Sequence, residues 1–134
     1  KWHRNQREKI IDSAQALAVS GMTHGVAAKL INCFLKPIFI TGVQDNLAQE
    51  YVEKKNAIHP PVDRVLATRL IQEGQKSRSS DIARHSFSWN LVLRHGWSAL
   101  NSSDYEAVID AIRDVTKGEL WRIEEYWQGY QDKQ

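Results

Sequence analysis

A histidine, an acid and an arginine lie close together in the segment Ile58-His59-Pro60-Pro61-Val62-Asp63-Arg64. These residue types suit acid–base chemistry and anion binding. The two prolines fix their own φ angles and force each preceding residue toward extended geometry. The apolar run that follows predicts a helix from Pro61 to about Glu73, with Asp63 just inside its first turn. The segment is therefore a candidate functional site at a rigid helix entrance.

A second set of polar residues lies on an earlier predicted helix, which Thr23 can cap. Lys29 and Asn32 are three residues apart, so they share one side of that helix. An acid can activate a nucleophile, and a desolvated lysine can itself attack. Each also has a purely structural interpretation: Asp63 could accept backbone N–H groups at a helix start, and Lys29 could simply face solvent. Both interpretations stay open.

Helical periodicity dominates the rest of the chain. The predicted helices cover residues 4–20, 23–37, 45–54, 61–73, 103–116 and 119–130, with a helical turn at 81–87. Gly21 and Gly74 are typical helix ends, and Ser103 to Glu106 matches a capping box. Residues 38–43 could form a strand but have no convincing partner, and 88–93 are ambiguous. We therefore predict an all-α fold of about six or seven helices in an irregular orthogonal array.

The composition predicts one globular domain over residues 1–134, since 42% of the residues are hydrophobic and 25% are charged. No apolar stretch approaches the ~20 residues that a membrane span needs, so no membrane partner is expected. Cys33 is the single cysteine, which excludes an internal disulfide and fits a reducing compartment. We expect a cytoplasmic protein, with Cys33 as a small buried residue.

Several common chemistries have no motif in this sequence. Gly21-Met22-Thr23-His24-Gly25 lacks the lysine and the spacing of a phosphate-binding P-loop. There is no G-x-S-x-G elbow and no C-x-x-C pair. The five histidines show none of the helical pairings of zinc enzymes, so neither a metal nor another cofactor is predicted.

The charge is unevenly distributed along the chain. Residues 54–95 hold eight Lys/Arg against three Asp/Glu, whereas residues 96–134 hold four against eight. The basic segment could bind the phosphates of DNA or RNA, with Lys76 and Arg78 among the contacts. Alternatively, the basic and acidic segments complement each other within the fold.

The stretch from Gly21 to Ile71 resembles helix-hairpin-helix DNA glycosylase-like domains. In that family a Gly-rich hairpin precedes a helix with K-x-x-N, here Lys29-Leu30-Ile31-Asn32, and a V-D motif opens a later helix, here Val62-Asp63. The resemblance implies that Asp63 activates the attacking nucleophile and that Lys29 can form a Schiff base with the sugar. The hairpin's usual L-P-G-x-G and the cysteine-rich tail are missing, and the lysine and acid are further apart than in the family. The chain also looks like an uncharacterised bacterial helical family with H-P-P-x-D and a tryptophan-rich C-terminus.

Two functions follow as expectations. The first is a nucleic-acid-binding, glycosylase-like domain with Lys29 and Asp63 as catalytic residues. Its nucleic-acid contacts would be Asn32, His59, Arg64, Lys76 and Arg78. The second is a non-enzymatic helical module that binds a protein partner through an exposed Trp97 or Trp121.

Overall fold

The structure, a computed structural model, describes residues 1–40, 58–76 and 81–127, without the side chains of 38–40. Within these ranges it is helical and contains no strand, which confirms the all-α prediction. The helices are α1 (Trp2–Ala16), α2 (His24–Ile40), α3 (Arg64–Lys76), α4 (Asp81–Arg84), α5 (Ser86–His95) and α6 (Ser102–Val115). Two 3-10 segments follow α5 and α6, at Trp97–Ala99 and Leu120–Tyr126. The predicted helix at 45–54 lies outside the described residues.

The hydrophobic core lies between α3, α5, α6 and the second 3-10 segment. Helix α6 contributes one continuous buried face, because its apolar residues recur at helical spacing. Trp89 of α5 is completely buried, and its indole N–H donates to the carbonyl oxygen of Ile82 at 2.9 Å. The buried core residues include Val62, Leu66, Leu70, Trp89, Val92, Leu100, Val108, Ile109, Ile112, Leu120 and Ile123. Residues 88–93, which were ambiguous in sequence, belong to α5.

Helix α1 packs on α2 through an unusual face. The sequence predicts that its apolar residues face inward, but the buried ones are His3, Arg7 and Ala14. Leu17 is exposed and lies beyond the end of the helix. Because positions 3, 7 and 14 repeat at helical spacing, two polar side chains occupy the contact face and need buried partners.

Helix α3 begins later and ends later than predicted. It starts at Arg64, with Asp63 as its N-cap, and continues through Gly74 to Lys76. Gly74 is not a helix end: a Cβ there would lie 3.1 Å from the Cα of Ala83, so the glycine permits close packing of α4. The predicted stop was wrong because a glycine can equally serve a tight helix contact.

Three further boundaries differ from the sequence prediction. Helix α6 is capped by Asn101, whose Oδ1 accepts from the backbone N–H of Asp104 at 2.9 Å, so the cap precedes the predicted capping box. The segment after α6 is a 3-10 helix at Leu120–Tyr126 rather than a longer α-helix within the described residues. Helix α2 passes through Pro37 to Ile40.

Thr23 caps α2 as predicted, since its hydroxyl accepts from the backbone N–H of Val26 at 3.1 Å. Cys33 is exposed, which corrects the expectation that it is buried. Among the helices that the structure describes, none is long and apolar enough to cross a membrane.

Candidate functional site

A groove of about 980 Å³ opens between α2, the entrance of α3 and the segment that follows α5. Five residues predicted from sequence line it, although they come from distant parts of the chain: Lys29, Asn32, His59, Asp63 and Arg64. The structure therefore brings together most of the predicted site.

Two residues that the sequence predicts as nucleic-acid contacts, Lys76 and Arg78, are not among the described residues that line this groove. Lys76 ends α3, about 18 Å along the helix axis from Arg64 at 1.5 Å per residue. Its ammonium group pairs with Glu73 at 2.6 Å. Arg78 lies outside the described residues.

The two carboxylate oxygens of Asp63 have different surroundings. Oδ1 accepts a hydrogen bond from the backbone N–H of Leu66 at 2.8 Å, which caps α3. The side chain is nevertheless exposed and lines the groove. Within the described residues no donor contacts the second oxygen. The capping interpretation therefore holds for one oxygen, and the second oxygen takes no part in the cap.

The groove carries positive charge that nearby acids only partly compensate. Lys36 pairs with Glu124 across the groove at 3.8 Å. Lys29 and Arg64 are exposed, and no carboxylate of the described residues forms an ion pair with either. Since Asp63 is the remaining acid of the lining, the groove suits an anionic or polar ligand.

Two aromatic side chains form part of the groove wall. Trp97 is half-buried, with its ring centroid 4.7 Å from that of Tyr105. Trp121 is 45% exposed on the same groove. Flat aromatic rings beside cationic side chains are typical of surfaces that stack planar ligands.

Gly25 sets the position of the Trp97 wall. A Cβ at this position would overlap the carbonyl oxygen of Trp97, so only glycine allows the 3-10 segment to lie against α2. The hydroxyl of Thr23 also donates to the carbonyl oxygen of Ser98. The first turn of α2 therefore holds one groove wall in place.

His59 borders the groove but is almost completely buried. It is 6% exposed, and its Nδ1 lies 2.8 Å from the hydroxyl oxygen of Tyr105. The ring stacks on that of His3, with centroids 3.7 Å apart and planes at 11°. Burial, together with the neighbouring His3 and Arg7, lowers the pKa of His59 to about 2. His59 is therefore neutral at ordinary pH and cannot bind phosphate as a cation.

Sequence reasoning missed the remainder of this buried cluster. Arg7 is fully buried, stacks over the ring of Tyr105 at 3.8 Å and forms an ion pair with Glu106. Burial raises the pKa of the Tyr105 hydroxyl above its ordinary value. Burial and the nearby Arg7 lower the pKa of His3 to about 4. His3 and Arg7 lie four residues apart on one helix face, but this spacing does not reveal their distant partners Tyr105 and Glu106.

Ion pairs join the basic segment 54–95 to the acidic C-terminal part of the chain. Arg84 contacts Asp114 at 3.2 Å, and His85 contacts the same carboxylate at 2.8 Å. A second pair runs in the opposite direction: Lys117 of the acidic segment pairs with Asp81 of the basic segment at 2.6 Å. Within the described residues, the two segments therefore complement each other on the face formed by α4 and α6.

The fold and the site define a helical protein with a partly cationic, aromatic-walled groove above a buried His–Tyr–Arg cluster. A scan against protein-family models, a search of curated proteins and a search of solved structures found no match to this chain.

Proposed function

We propose that the groove binds nucleic acid and that the protein has a glycosylase-like activity there, with Lys29 and Asp63 as the catalytic residues. One observation carries the proposal. The lysine and the acid to which the glycosylase resemblance assigns the chemistry line the same groove, although they lie on different helices.

The chemistry requires little beyond these two groups. In its ionised form, Asp63 would take a proton from the Lys29 ammonium, which leaves a neutral amine that can attack and a protonated Asp63 that can later act as an acid. The Lys29 nitrogen would form a bond to C1′ as the bond from C1′ to the base breaks. The base would leave with the electron pair of that bond and take a proton from the attacking nitrogen. The proton on Asp63 would then pass to O4′ as the bond from C1′ to O4′ breaks, which opens the sugar and gives a protonated Schiff base.

The rest of the groove supports a nucleic-acid ligand. Arg64 lies beside Asp63 at the start of α3 and could bind a phosphate. Trp97 and Trp121 offer flat surfaces on which a base could stack. Lys29 and Arg64 line this groove and have no ion-pair partner among the described residues, which supports phosphate binding there.

A protein-interaction module is the second candidate. The exposed Trp121 and the exposed Val65 line the same groove, and apolar side chains of this kind anchor protein partners. In this case Lys29 would be an ordinary solvent-facing residue and oligonucleotides would not bind.

The first test measures binding of fluorescent single- and double-stranded oligonucleotides at low salt by fluorescence anisotropy. We expect Lys29→Gln to weaken binding about threefold or more, because one unpaired cation is lost. Lys76→Gln is the matched control, since that lysine is exposed but lies at the far end of α3. No binding by the unaltered protein would eliminate this function and leave the protein-interaction module.

The second test addresses catalysis. Borohydride reduction of the protein with DNA that contains an abasic site should leave a covalent adduct, because a lysine Schiff base becomes a stable amine. Lys29→Gln should abolish the adduct, and Asp63→Asn should slow its formation while binding persists. Binding without any adduct would restrict the groove to recognition.

A further inference from the structure

The amide of Asn32 can be oriented from its neighbours alone. The backbone N–H of His59 points at Oδ1 of Asn32, with the nitrogen 3.2 Å away. A backbone N–H can only donate a hydrogen bond, so the atom that it faces must be the amide oxygen. The amide therefore has one orientation, with its oxygen turned toward His59.

This orientation fixes the tautomer of His3. Its Nε2 lies 3.4 Å from the same amide oxygen, which can only accept. Nε2 must therefore carry the ring proton, and Nδ1 is left as an unprotonated nitrogen in the interior. His3 and His59 hold one oxygen from two sides, His3 from α1 and His59 from the entrance of α3.

The two histidines contact only the oxygen of the Asn32 amide. The amide nitrogen therefore points away from them. Within the described residues no group accepts from this nitrogen, and it is not one of the buried polar atoms that lack a partner. Because Asn32 lines the groove, the two amide hydrogens can reach a ligand there. Lys29 lies three residues earlier on the same side of α2.

We propose that Asn32 is a fixed hydrogen-bond donor of the groove and that His3 is its positioning residue, although His3 does not line the groove. The donor would bind an acceptor oxygen of the ligand, either a phosphate oxygen or a base carbonyl. This inference rests on the proposed nucleic-acid function for its ligand, but the positioning of Asn32 does not.

The positioning can be tested without a ligand. Nitrogen-15 NMR of the histidine rings should show His3 as the neutral Nε2–H tautomer between pH 6 and 8. His3→Phe, which keeps an aromatic ring for the stack on His59, should shift the side-chain amide resonances of Asn32. His3→Gln restores a donor and should return them toward their original positions. An Nδ1–H tautomer, or unchanged amide resonances in His3→Phe, would overturn the positioning role.

The donor is tested by oligonucleotide binding. Asn32→Asp keeps the oxygen that His59 needs but replaces the amide nitrogen with oxygen. Cys33→Asp is the matched control, because it adds the same charge at the next groove residue. We expect Asn32→Asp to weaken binding about tenfold more than Cys33→Asp, and His3→Phe to weaken it ~3- to 10-fold. Equal losses in the two aspartate variants would overturn the donor role.

The acceptor is identified by repeating the measurement with an oligonucleotide that carries tetrahydrofuran abasic residues. If Asn32→Asp weakens binding of both oligonucleotides equally, the acceptor of the Asn32 hydrogen bond is a phosphate oxygen. If it weakens binding only of the oligonucleotide that retains its bases, the acceptor is a base carbonyl. If the unaltered protein binds neither, the nucleic-acid function and the ligand assignment both fail. The NMR result then decides separately whether His3 positions Asn32.

Discussion

At the scale of single residues, the stacked pair of His3 and His59 makes stability depend on pH. Their pKa values fall from 6.5 to about 4 and about 2, so the folded protein keeps both rings neutral where the unfolded chain protonates them. Stability is therefore complete above pH 6.5 and decreases as the pH falls below it. At pH 5 we expect a loss of about 2 kcal/mol for each histidine, measured by urea unfolding at pH 7.5 and 5.0.

Replacing one histidine of the stacked pair tests its share of this loss. His3→Gln should reduce the difference by about half, whatever it does to stability at pH 7.5. An identical pH dependence in His3→Gln and the unaltered protein would mean that His3 is not buried in its neutral form.

At the scale of helices, α1 is joined to α6 by a partly buried ion pair rather than by apolar contact alone. Replacing Glu106 with Gln would leave the fully buried guanidinium of Arg7 without its partner charge. We expect Glu106→Gln to lower the free energy of unfolding by about 3 kcal/mol in denaturant titrations. Asp110→Asn breaks an exposed ion pair on the same helix, to Arg113, and should change it by less than ~1 kcal/mol. Similar effects of the two substitutions would argue that Arg7 is hydrated.

Gly25 tests how α2 holds the groove wall. Alanine normally favours a helix, but here its Cβ would overlap the Trp97 carbonyl oxygen, so the wall or the helix must move. We expect Gly25→Ala to destabilise the protein by about 1–3 kcal/mol and to shift the indole resonance of Trp97 in NMR spectra. Gly21→Ala is a useful comparison, because its φ of +81° strains an alanine while open space surrounds it. It should destabilise the protein yet leave the Trp97 resonance in place.

The sequence predicts the helices better than it predicts the polar contacts between them. Lys29 and Asp63 could be found because short local patterns mark them: helical spacing for one and a proline-set helix start for the other. His3 and Arg7 could not be found by the same means, since their importance depends on Tyr105 and Glu106, which are about a hundred residues away. Local patterns specify which face of a helix a residue occupies, but not which distant polar group it contacts in the folded protein.

At the scale of the whole molecule, ion pairs join the basic segment 54–95 to the acidic residues 96–134. Arg84 and Lys117 are occupied by Asp114 and Asp81 on the face formed by α4 and α6. One of these pairs takes a base of 54–95 and the other takes an acid, so the excess of basic residues in this segment is the same in the folded protein as in the sequence. Phosphate binding should depend on the groove cations rather than on this net charge.

The salt dependence of oligonucleotide binding measures this difference directly. Lys29, Arg64 and Lys36 are the lysines and arginines of the groove lining, so about three phosphate contacts are expected. The slope of log K against log salt for single strands should then be about −2, and Lys29→Gln should reduce it by roughly 0.7. If all eight basic residues of 54–95 bound phosphate, the slope would approach about −5 to −6. A slope that steep, unchanged by Lys29→Gln and reduced by Lys76→Gln, would move the nucleic-acid surface from the groove to the far end of α3.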